Sequence, residues 1–153
     1  MSDNTCICLP PVLLGALWPQ VAPKLLTGIA ASIDDPEELE PTFRKAVDAV
    51  FDGLAQLWAI FNEEPRPHVR AVFITRIVVD EDGRKVVDAI ALSGEGIKEW
   101  GGPVSDQMTE FARAEGCEAV SFCGRRALIR VYNDVTLIGE RPDGLAIFER
   151  TVH

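Results

Sequence analysis

The fold is restricted most by residues 54–93, because this segment holds three apolar runs separated by turn residues. The runs are Leu54–Phe61, Val69–Val79 and Val86–Ser93. The last two are rich in valine and isoleucine, which favour strands. They are joined by Asp80–Gly83, whose acidic residues and glycine are typical of a hairpin turn. The segment therefore predicts an antiparallel meander of three strands.

The N-terminal part predicts a short strand and two helices. Residues 5–9 predict the strand, and residues 1–18 form either this first strand or an arm that orders on a neighbour. Apolar residues at helical spacing after Pro19 predict the first helix, and a similar stripe over Phe43–Phe51 predicts the second. Gly53 is expected to end the second helix.

The C-terminal part alternates helices and strands. A glycine-rich loop is predicted over Gly94–Gly102, followed by a helix that begins near Pro103 and ends at Glu115. The remaining predicted elements are a strand over Ala119–Cys123, a helix over Arg125–Asn133, and strands over Val135–Gly139 and Leu145–Val152. The sequence shows no repeat and no interdomain linker, so a single domain over residues 1–153 is expected.

The charge balance disfavours nucleic acid as a partner. The chain has 15 basic and 24 acidic residues, for a net charge of −9, whereas binding to phosphates requires clustered lysine and arginine. A local basic patch at Arg125, Arg126 and Arg130 stays open as a hypothesis. The acidic surface as a whole favours solubility.

The sequence predicts neither a metal site nor a membrane span. Its four cysteines form no Cys-x-x-Cys pair and its two histidines are His68 and His153, whereas zinc sites need four well-spaced nitrogen or sulfur ligands. The apolar stretch Ile7–Leu17 is too short to cross a bilayer, and no basic segment of a secretory signal precedes it. Reduced thiols in a cytosolic compartment are the resulting expectation.

The predicted element order is β-α-α-β-β-β-α-β-α-β-β, which over nearly the whole chain resembles the GNAT superfamily of N-acetyltransferases. The resemblance implies an α+β fold with a mixed central sheet of about seven strands and helices on both faces. It is closest in Gly124–Val135 and in the closing hairpin Arg141–Arg150. In active members, a tyrosine at the position of Tyr132 often protonates the departing thiolate of coenzyme A. A tyrosine that packs its ring in the core is the alternative role for this residue.

A second resemblance concerns residues 111–118 and the Gly124-Arg125-Arg126 sequence beyond the next strand. This pattern resembles small GNAT-like proteins of tailed bacteriophages, which include internal and structural virion proteins. The resemblance implies a role in protein–protein contacts, with other virion proteins or further copies of the chain as partners. It also implies a location in the virion or in the host cytoplasm.

The predicted glycine-rich loop differs from the coenzyme A loop of GNAT enzymes, Gln/Arg-x-x-Gly-x-Gly/Ala. The nearest match begins at Lys98, and the candidate cofactor-binding residues are Lys98, Gly101 and Gly102. Three differences are expected to weaken phosphate binding: Lys98 in place of Gln/Arg, the missing amide of Pro103, and the acids Glu95 and Glu99. No cofactor is therefore expected, and acetyl-CoA is the cofactor of the enzymatic alternative.

The candidate general base is Asp88, because acetyl transfer needs a group that takes a proton from the amine. Asp88 is the acidic residue within the predicted strand Val86–Ser93, and a solvated aspartate at a strand edge is its other interpretation. Cys123 precedes a predicted helix start, where the pKa of a thiol is lowered. Burial in a strand is the other interpretation of this cysteine.

Two tryptophans, Trp18 and Trp100, are candidate interaction residues. Trp100 is predicted in a polar loop, where an exposed ring would anchor a partner protein or would fill an empty cofactor groove. With the altered loop, this predicts a non-catalytic structural or assembly protein of a bacteriophage virion. The alternative is an acetyl-CoA-dependent N-acetyltransferase of unknown substrate that uses Tyr132 and Asp88, and an acyl-CoA sensor is a third hypothesis.

Overall fold

The computed structural model describes residues 4–62, 68–124, 135–142 and 144–152. A short 3-10 turn over Pro36–Glu38 precedes the second helix. In chain order, the helices and strands of the described residues are β1 (Asn4–Cys8), α1 (Pro11–Ala30), α2 (Leu39–Phe51), β2 (Ala55–Asn62), β3 (His68–Val79), β4 (Lys85–Gly94), α3 (Ile97–Ala114), β5 (Ala119–Gly124), β6 (Thr136–Glu140) and β7 (Ala146–Thr151).

These strands form one mixed sheet in the order β1-β2-β3-β4-β5-β7-β6. β1 pairs antiparallel with β2, and β7 pairs antiparallel with both β5 and β6. β4 and β5 pair in parallel, and α3 provides the crossover connection that a parallel pair requires. The prediction of an α+β fold with a mixed sheet of about seven strands is confirmed.

The described residues cluster into two compact units. One, the N-terminal unit, lies within residues 1–75 and 90–96, and the other, the C-terminal unit, lies within residues 76–89 and 97–153. Strands β3 and β4 therefore contribute residues to both units. The single domain expected over residues 1–153 stays a prediction.

Helix α1 supplies one side of the core of the N-terminal unit. Leu14 and Leu25 of α1 pack in one apolar cluster with Leu57 of β2 and Ile74 of β3, and each of these four side chains is at most 1% exposed. Burying a large apolar side chain contributes about 1.5–3 kcal/mol. The cluster therefore fixes the helix firmly against the strands of its unit.

The observed start of α1 corrects the sequence prediction. The helix begins at Pro11 rather than after Pro19, and both Pro19 and Pro23 lie inside it. Proline is favoured in the first helical turn because its missing N–H has no partner there, which accounts for the start at Pro11. By length and composition, α1 would also suit a membrane span; here its buried face belongs to the core of the N-terminal unit.

The N-terminal residues form a strand. β1 pairs with β2 from Asn4↔Asn62 to Cys8↔Trp58, so it forms the edge of the sheet next to β2. Within residues 1–18, Asn4–Cys8 thus form the first strand, whereas residues 11–18 belong to α1. Leu9 follows this strand and donates its N–H to the carbonyl of Leu57 at 2.8 Å.

An arginine joins the β3–β4 turn to β7 in the C-terminal unit. Arg84 donates two hydrogen bonds of 2.9 Å to the carboxylate of Glu149, one from each terminal nitrogen. Its Nε donates to Asp80 Oδ2 at 2.8 Å. This bidentate geometry is the strong form of an arginine–carboxylate pair, and these carboxylates raise the pKa of Arg84 above its usual value.

Helix α3 packs on β5 and is held to β7 by polar contacts. Arg150 Nη1 of β7 lies 2.9 Å from Ser105 Oγ and 2.8 Å from Asp106 Oδ1 of the helix. The predicted start of this helix near Pro103 is wrong, because α3 begins at Ile97. The helix predicted over residues 125–133 lies outside the described residues.

Candidate functional site

Strand β4 changes its backbone conformation after the segment that pairs with β5. In the described residues, the parallel pairs run from Val86↔Ala119 to Ala89↔Phe122, while β4 continues to Gly94. Ala91 has a φ of 58°, the left-handed region, and it is the one non-glycine residue with positive φ in the described part of the chain. This conformation costs an alanine about 1–2 kcal/mol, so the surrounding structure must impose it.

The connection from β4 to α3 is short and packs on β3. It contains Glu95 and Gly96, and the N–H of Glu95 donates to the carbonyl of Arg70 at 3.1 Å. Gly94 and Gly96 have φ values of 144° and 81°. A β-carbon on Gly94 would overlap the backbone of Arg70 and Ala71, so glycine is required there by close packing.

Arg70 brings a positive charge to the residue before α3. A β-carbon on Gly96 would lie 2.7 Å from Arg70 Cζ, which shows that the guanidinium lies directly against this glycine. Arg70 Nη1 also donates to Asn4 Oδ1 of β1 at 3.0 Å, which helps to fix its orientation. Arg70 could not be identified from the sequence, because only the packing of β3 against the β4–α3 connection brings position 70 to position 96.

The first turn of α3 follows Gly96 directly. The N–H groups of a first helical turn have no carbonyl partner inside the helix, and the helix dipole favours negative charge there. Lys98 lies in this turn and adds a positive side chain, whereas Glu99 adds a negative one. The first turn therefore offers backbone donors for an anion, with side chains of both signs beside it.

The start of α3 revises the predicted coenzyme A loop. Lys98, Gly101 and Gly102 all lie inside the helix, so they do not form a loop. Pro103 is the seventh residue of α3, counted from Ile97, and therefore removes no amide from the first turn. The predicted defect at Pro103 is wrong. Contact of Lys98, Gly101 and Gly102 with a cofactor stays a prediction.

Asp88 lies in the part of β4 that pairs with β5, opposite Ser121. Its Oδ2 accepts a hydrogen bond of 3.1 Å from Arg76 Nε, and its Oδ1 accepts one of 3.2 Å from Ser121 Oγ. The carboxylate is 21% exposed. Asp88 is thus a partly buried carboxylate whose orientation is set by two neighbours, and its role as general base stays a prediction. Neither neighbour was identified from the sequence, because their proximity depends on strand register.

Three of the four cysteines have a raised pKa, which makes their thiols less reactive. Burial, together with the neighbouring Cys8, raises the pKa of Cys6 to about 12. Burial also raises the pKa of Cys8 and that of Cys117. A thiolate is the reactive form of cysteine, so a raised pKa lowers reactivity. Cys123 lies in β5 opposite Ile147 of β7, which agrees with the strand interpretation of this residue.

The predicted interaction residues are largely internal. Trp100 is 4% exposed and belongs to the buried stripe of α3, so the prediction of an exposed anchor in a loop is wrong. Trp18 of α1 is partly buried against the core, and its ring centroid lies 5.9 Å from that of Phe43 in α2. Tyr132 lies outside the described residues, and its proposed acid role stays a prediction.

Comparison with known proteins identifies the fold. No protein-family model matches the sequence, and no curated protein sequence matches it. Among solved structures, aminoglycoside 6'-acetyltransferase type Ii has a TM-score of 0.68 at 10% identity, covering 97% of each chain. An acetyltransferase of the GNAT family from Staphylococcus aureus Mu50 has a TM-score of 0.61 at 10% identity, covering 99% of this chain and 100% of the other.

A third similar structure includes a cofactor. The NatC complex bound to Gag peptide and CoA has a TM-score of 0.65 at 9% identity, covering 99% of both chains. At such low identities the likeness establishes the fold alone, and that fold is the GNAT fold. The GNAT resemblance of the element order is confirmed at this level.

These comparisons correct the function predicted from the sequence. The main prediction was a non-catalytic structural protein of a bacteriophage virion, and it is wrong. The similar solved structures include N-acetyltransferases, among them the ribosomal-protein-S18-alanine N-acetyltransferase from Escherichia coli.

Proposed function

We propose that this protein is an acetyl-CoA-dependent N-acetyltransferase. The observation that carries the proposal is the connection from β4 to α3, where the Arg70 guanidinium packs against Gly96, the residue before the first turn of the helix. A pyrophosphate needs positive charge and N–H donors. The first turn of α3 offers the donors, and Arg70 lies against the residue that precedes it in the chain. The GNAT fold supports the same conclusion.

The residues present fit the phosphate end of acetyl-CoA. The first-turn N–H groups of α3 and the Lys98 side chain would hold the pyrophosphate. Arg70 adds positive charge beside Gly96, the residue before that turn. Glu95 and Glu99 oppose an anion by about 1 kcal/mol each in wet, partly screened surroundings. Hydrogen bonds to a charged group contribute about 1.5–3 kcal/mol each, so the guanidinium and several amides outweigh the two carboxylates.

The residues of β4 beyond its paired segment fit the extended arm of acetyl-CoA. This arm carries amide groups, which pair well with the N–H and C=O groups of an extended strand. Residues 90–94 of β4 lie beyond Ala89, the last residue of the strand that pairs with β5 in the described part of the chain. We assign this stretch of backbone to the arm because it is covalently continuous with Gly96 and the phosphate-binding turn.

Acetyl transfer requires the protein to remove a proton from the amine and to deliver a proton to the departing thiolate. Bound acetyl-CoA supplies an acetyl group on a thioester, an activated donor for an amine. Asp88 takes the proton from the attacking amine, directly or through one water molecule. Arg76 and Ser121 hold the Asp88 carboxylate in one orientation through bonds of 3.1 and 3.2 Å. Tyr132 is assigned, on the GNAT resemblance, the return of a proton to the departing thiolate.

Amine-dependent release of the coenzyme A thiol tests the proposed activity. Purified protein is incubated with acetyl-CoA and, separately, with peptide α-amines, lysine side chains and aminoglycosides, and free thiol is followed with a chromogenic disulfide. The expected result is release above the rate without protein for at least one amine. If no amine raises thiol release and acetyl-CoA does not bind, the proposed function is wrong.

A further inference from the structure

The backbone of helix α1 contacts β4 at Gly28. A β-carbon placed on Gly28 would overlap the carbonyl oxygen of Ala91 and would lie 2.7 Å from its carbonyl carbon and 3.3 Å from its α-carbon. The helix backbone therefore lies directly against the peptide group that follows Ala91. No residue with a β-carbon fits at position 28 unless that peptide group moves.

The neighbours of Gly28 fix the position of the helix. Leu25 is fully buried and Ile29 is 3% exposed, and both belong to the same apolar cluster as Ala91. Packed interiors resist the displacement of a helix, because any shift opens voids between close-packed side chains. A larger residue at position 28 would therefore displace the Ala91 peptide rather than the helix.

The conformation of Ala91 indicates what this contact maintains. A carbonyl of a regular strand points in the plane of the sheet toward a neighbouring strand. That of Ala91 instead reaches the α1 backbone, and its residue has a φ of 58°. A Cα–H of Gly28 lies in the direction of the missing β-carbon, which permits a weak Cα–H···O contact to this oxygen. Gly28 therefore accommodates the turned peptide of Ala91.

We propose that Gly28 is a positioning residue, which acts through Ala91 to set the direction of the β4 backbone groups that receive acetyl-CoA. The inference rests on the proposed function, because the stretch after Ala89 is the one assigned to the extended arm of the cofactor. The turn at Ala91 comes two residues after Ala89, the last pair with β5 in the described residues. It thus fixes where the N–H and C=O groups of the following residues point.

A matched pair of glycine variants tests this role. Gly28→Ala is compared with Gly15→Ala, which adds the same methyl group to the same helix where no atom lies within 4 Å. We expect Gly28→Ala to weaken the binding of acetyl-CoA about tenfold or more, a change of about 1.4 kcal/mol. Gly15→Ala should bind like the wild type. Binding is measured by titration calorimetry. A urea unfolding curve of each variant gives the fraction of protein that is folded under the conditions of the titration.

A second variant separates positioning from general destabilisation. Glycine adopts positive φ freely and has no β-carbon, so in Gly28→Ala/Ala91→Gly position 91 can absorb the displacement through its own dihedral angles. The following residues of β4 then keep their direction, and acetyl-CoA affinity should be restored. The Michaelis constant for acetyl-CoA should rise in Gly28→Ala, whereas that for the amine should not. A structural role alone would lower the urea midpoint of Gly28→Ala and leave both affinities unchanged, and that result would overturn the inference.

The outcomes distinguish this inference from the proposed function. If the wild type binds acetyl-CoA and Gly28→Ala binds it equally well, the positioning role is wrong and the transferase proposal stands. If the wild type does not bind acetyl-CoA, the proposed function fails and the positioning role for that cofactor fails with it. Weakened binding in Gly28→Ala with recovery in the double variant supports both.

Discussion

At the residue scale, Asp88 is the side chain on which the proposed acetyl transfer depends. Its two hydrogen-bond partners orient a carboxylate that is only partly exposed. Asp88→Asn keeps the size of the side chain and removes its basicity, so turnover should fall by about 10²–10⁴-fold, the usual contribution of a general base. Acetyl-CoA affinity should change little.

The measurement for Asp88 is kcat with a saturating amine. Asp82→Asn is the control, because Asp82 is an exposed residue of the β3–β4 turn. Unchanged kcat in Asp88→Asn would remove this residue from the mechanism.

Arg70 provides the second test at this scale. Arg70→Gln removes the positive charge beside Gly96, and the loss of charge-assisted hydrogen bonds should weaken acetyl-CoA binding by about 10–100-fold. Acetyl-pantetheine lacks the pyrophosphate, so its affinity should not change. The control is Arg44→Gln, since Arg44 forms an exposed pair with Glu40 within α2. Equal weakening for both ligands would show that Arg70 does not bind the phosphates.

The sequence alone identifies some of the residues of the candidate site and not others. Asp88 could be identified because it is an acid inside an apolar strand, which is a local signal. Arg70, Arg76 and Ser121 could not, because each acquires its partner through strand pairing between distant parts of the sequence. Trp100 was misplaced because its neighbours are glycines, which favour loops.

At the element scale, the decisive error concerned the start of α3. Gly101, Gly102 and Pro103 all disfavour a helix, and proline in a helix interior costs about 3 kcal/mol. Yet Trp100, Val104 and Met108, with Ala112, are buried at a spacing of four residues. Burying the three large side chains contributes about 1.5–3 kcal/mol each, which exceeds the cost of the proline. Tertiary packing thus overrides local propensity here.

A helical Gly102 has a measurable consequence. A β-carbon on this residue would meet no atom within 4 Å. Gly102→Ala should therefore raise the free energy of unfolding by up to about 1 kcal/mol, because alanine is the better helix former. The corresponding rise in Tm is about 2–4 °C, measured by thermal unfolding. Weaker acetyl-CoA binding without a gain in Tm would instead indicate a cofactor loop at this position.

The β3–β4 turn makes stability depend on pH. The N–H and guanidinium of Arg84 lower the pKa of Asp80 below its ordinary value of 3.8. A lowered pKa in the folded state means that the ionised carboxylate stabilises the fold above the unfolded-state pKa. This contribution is lost as the pH falls from about 4 through the lower, folded-state pKa.

Urea unfolding of the wild type and of Asp80→Asn checks this pH dependence. The wild type should be the more stable protein at pH 6, and the difference should shrink as the pH falls below 4 toward 2. A difference that is constant over this range would contradict the assigned ionisation. Asp82→Asn serves as the control, because Asp82 contributes its N–H, rather than its carboxylate, to Asp80.

At the scale of the whole molecule, the order of elements was predictable and the function was not. Strand and turn patterns gave the meander of residues 54–93 and the final hairpin, because alternation and turn chemistry are local. The sheet order β4-β5-β7-β6 depends on long-range pairing, which local sequence patterns do not reveal. The proposed function rests on the connection from β4 to α3. The sequence predicts the start of α3 too late in the chain, and therefore predicts weak binding of phosphate by this connection.

Because α3 begins at Ile97, fewer groups oppose the binding of an anion at the proposed cofactor site than the sequence predicted. With Pro103 far inside the helix, the remaining opposition to an anion comes from Glu95 and Glu99, and Arg70 and Lys98 balance them. The net charge of −9 acts over a longer range and is screened by salt beyond about 10 Å. Local geometry, rather than net charge, should therefore decide whether coenzyme A binds.

Titration calorimetry with acetyl-CoA tests the central claim most directly. The wild-type protein should bind acetyl-CoA at a single saturable site with micromolar affinity, and binding should weaken as salt is added, because phosphates are neutralised by positive groups. Acetyl-pantetheine should bind more weakly. The absence of saturable binding at millimolar acetyl-CoA, with a correctly folded protein, would contradict the account.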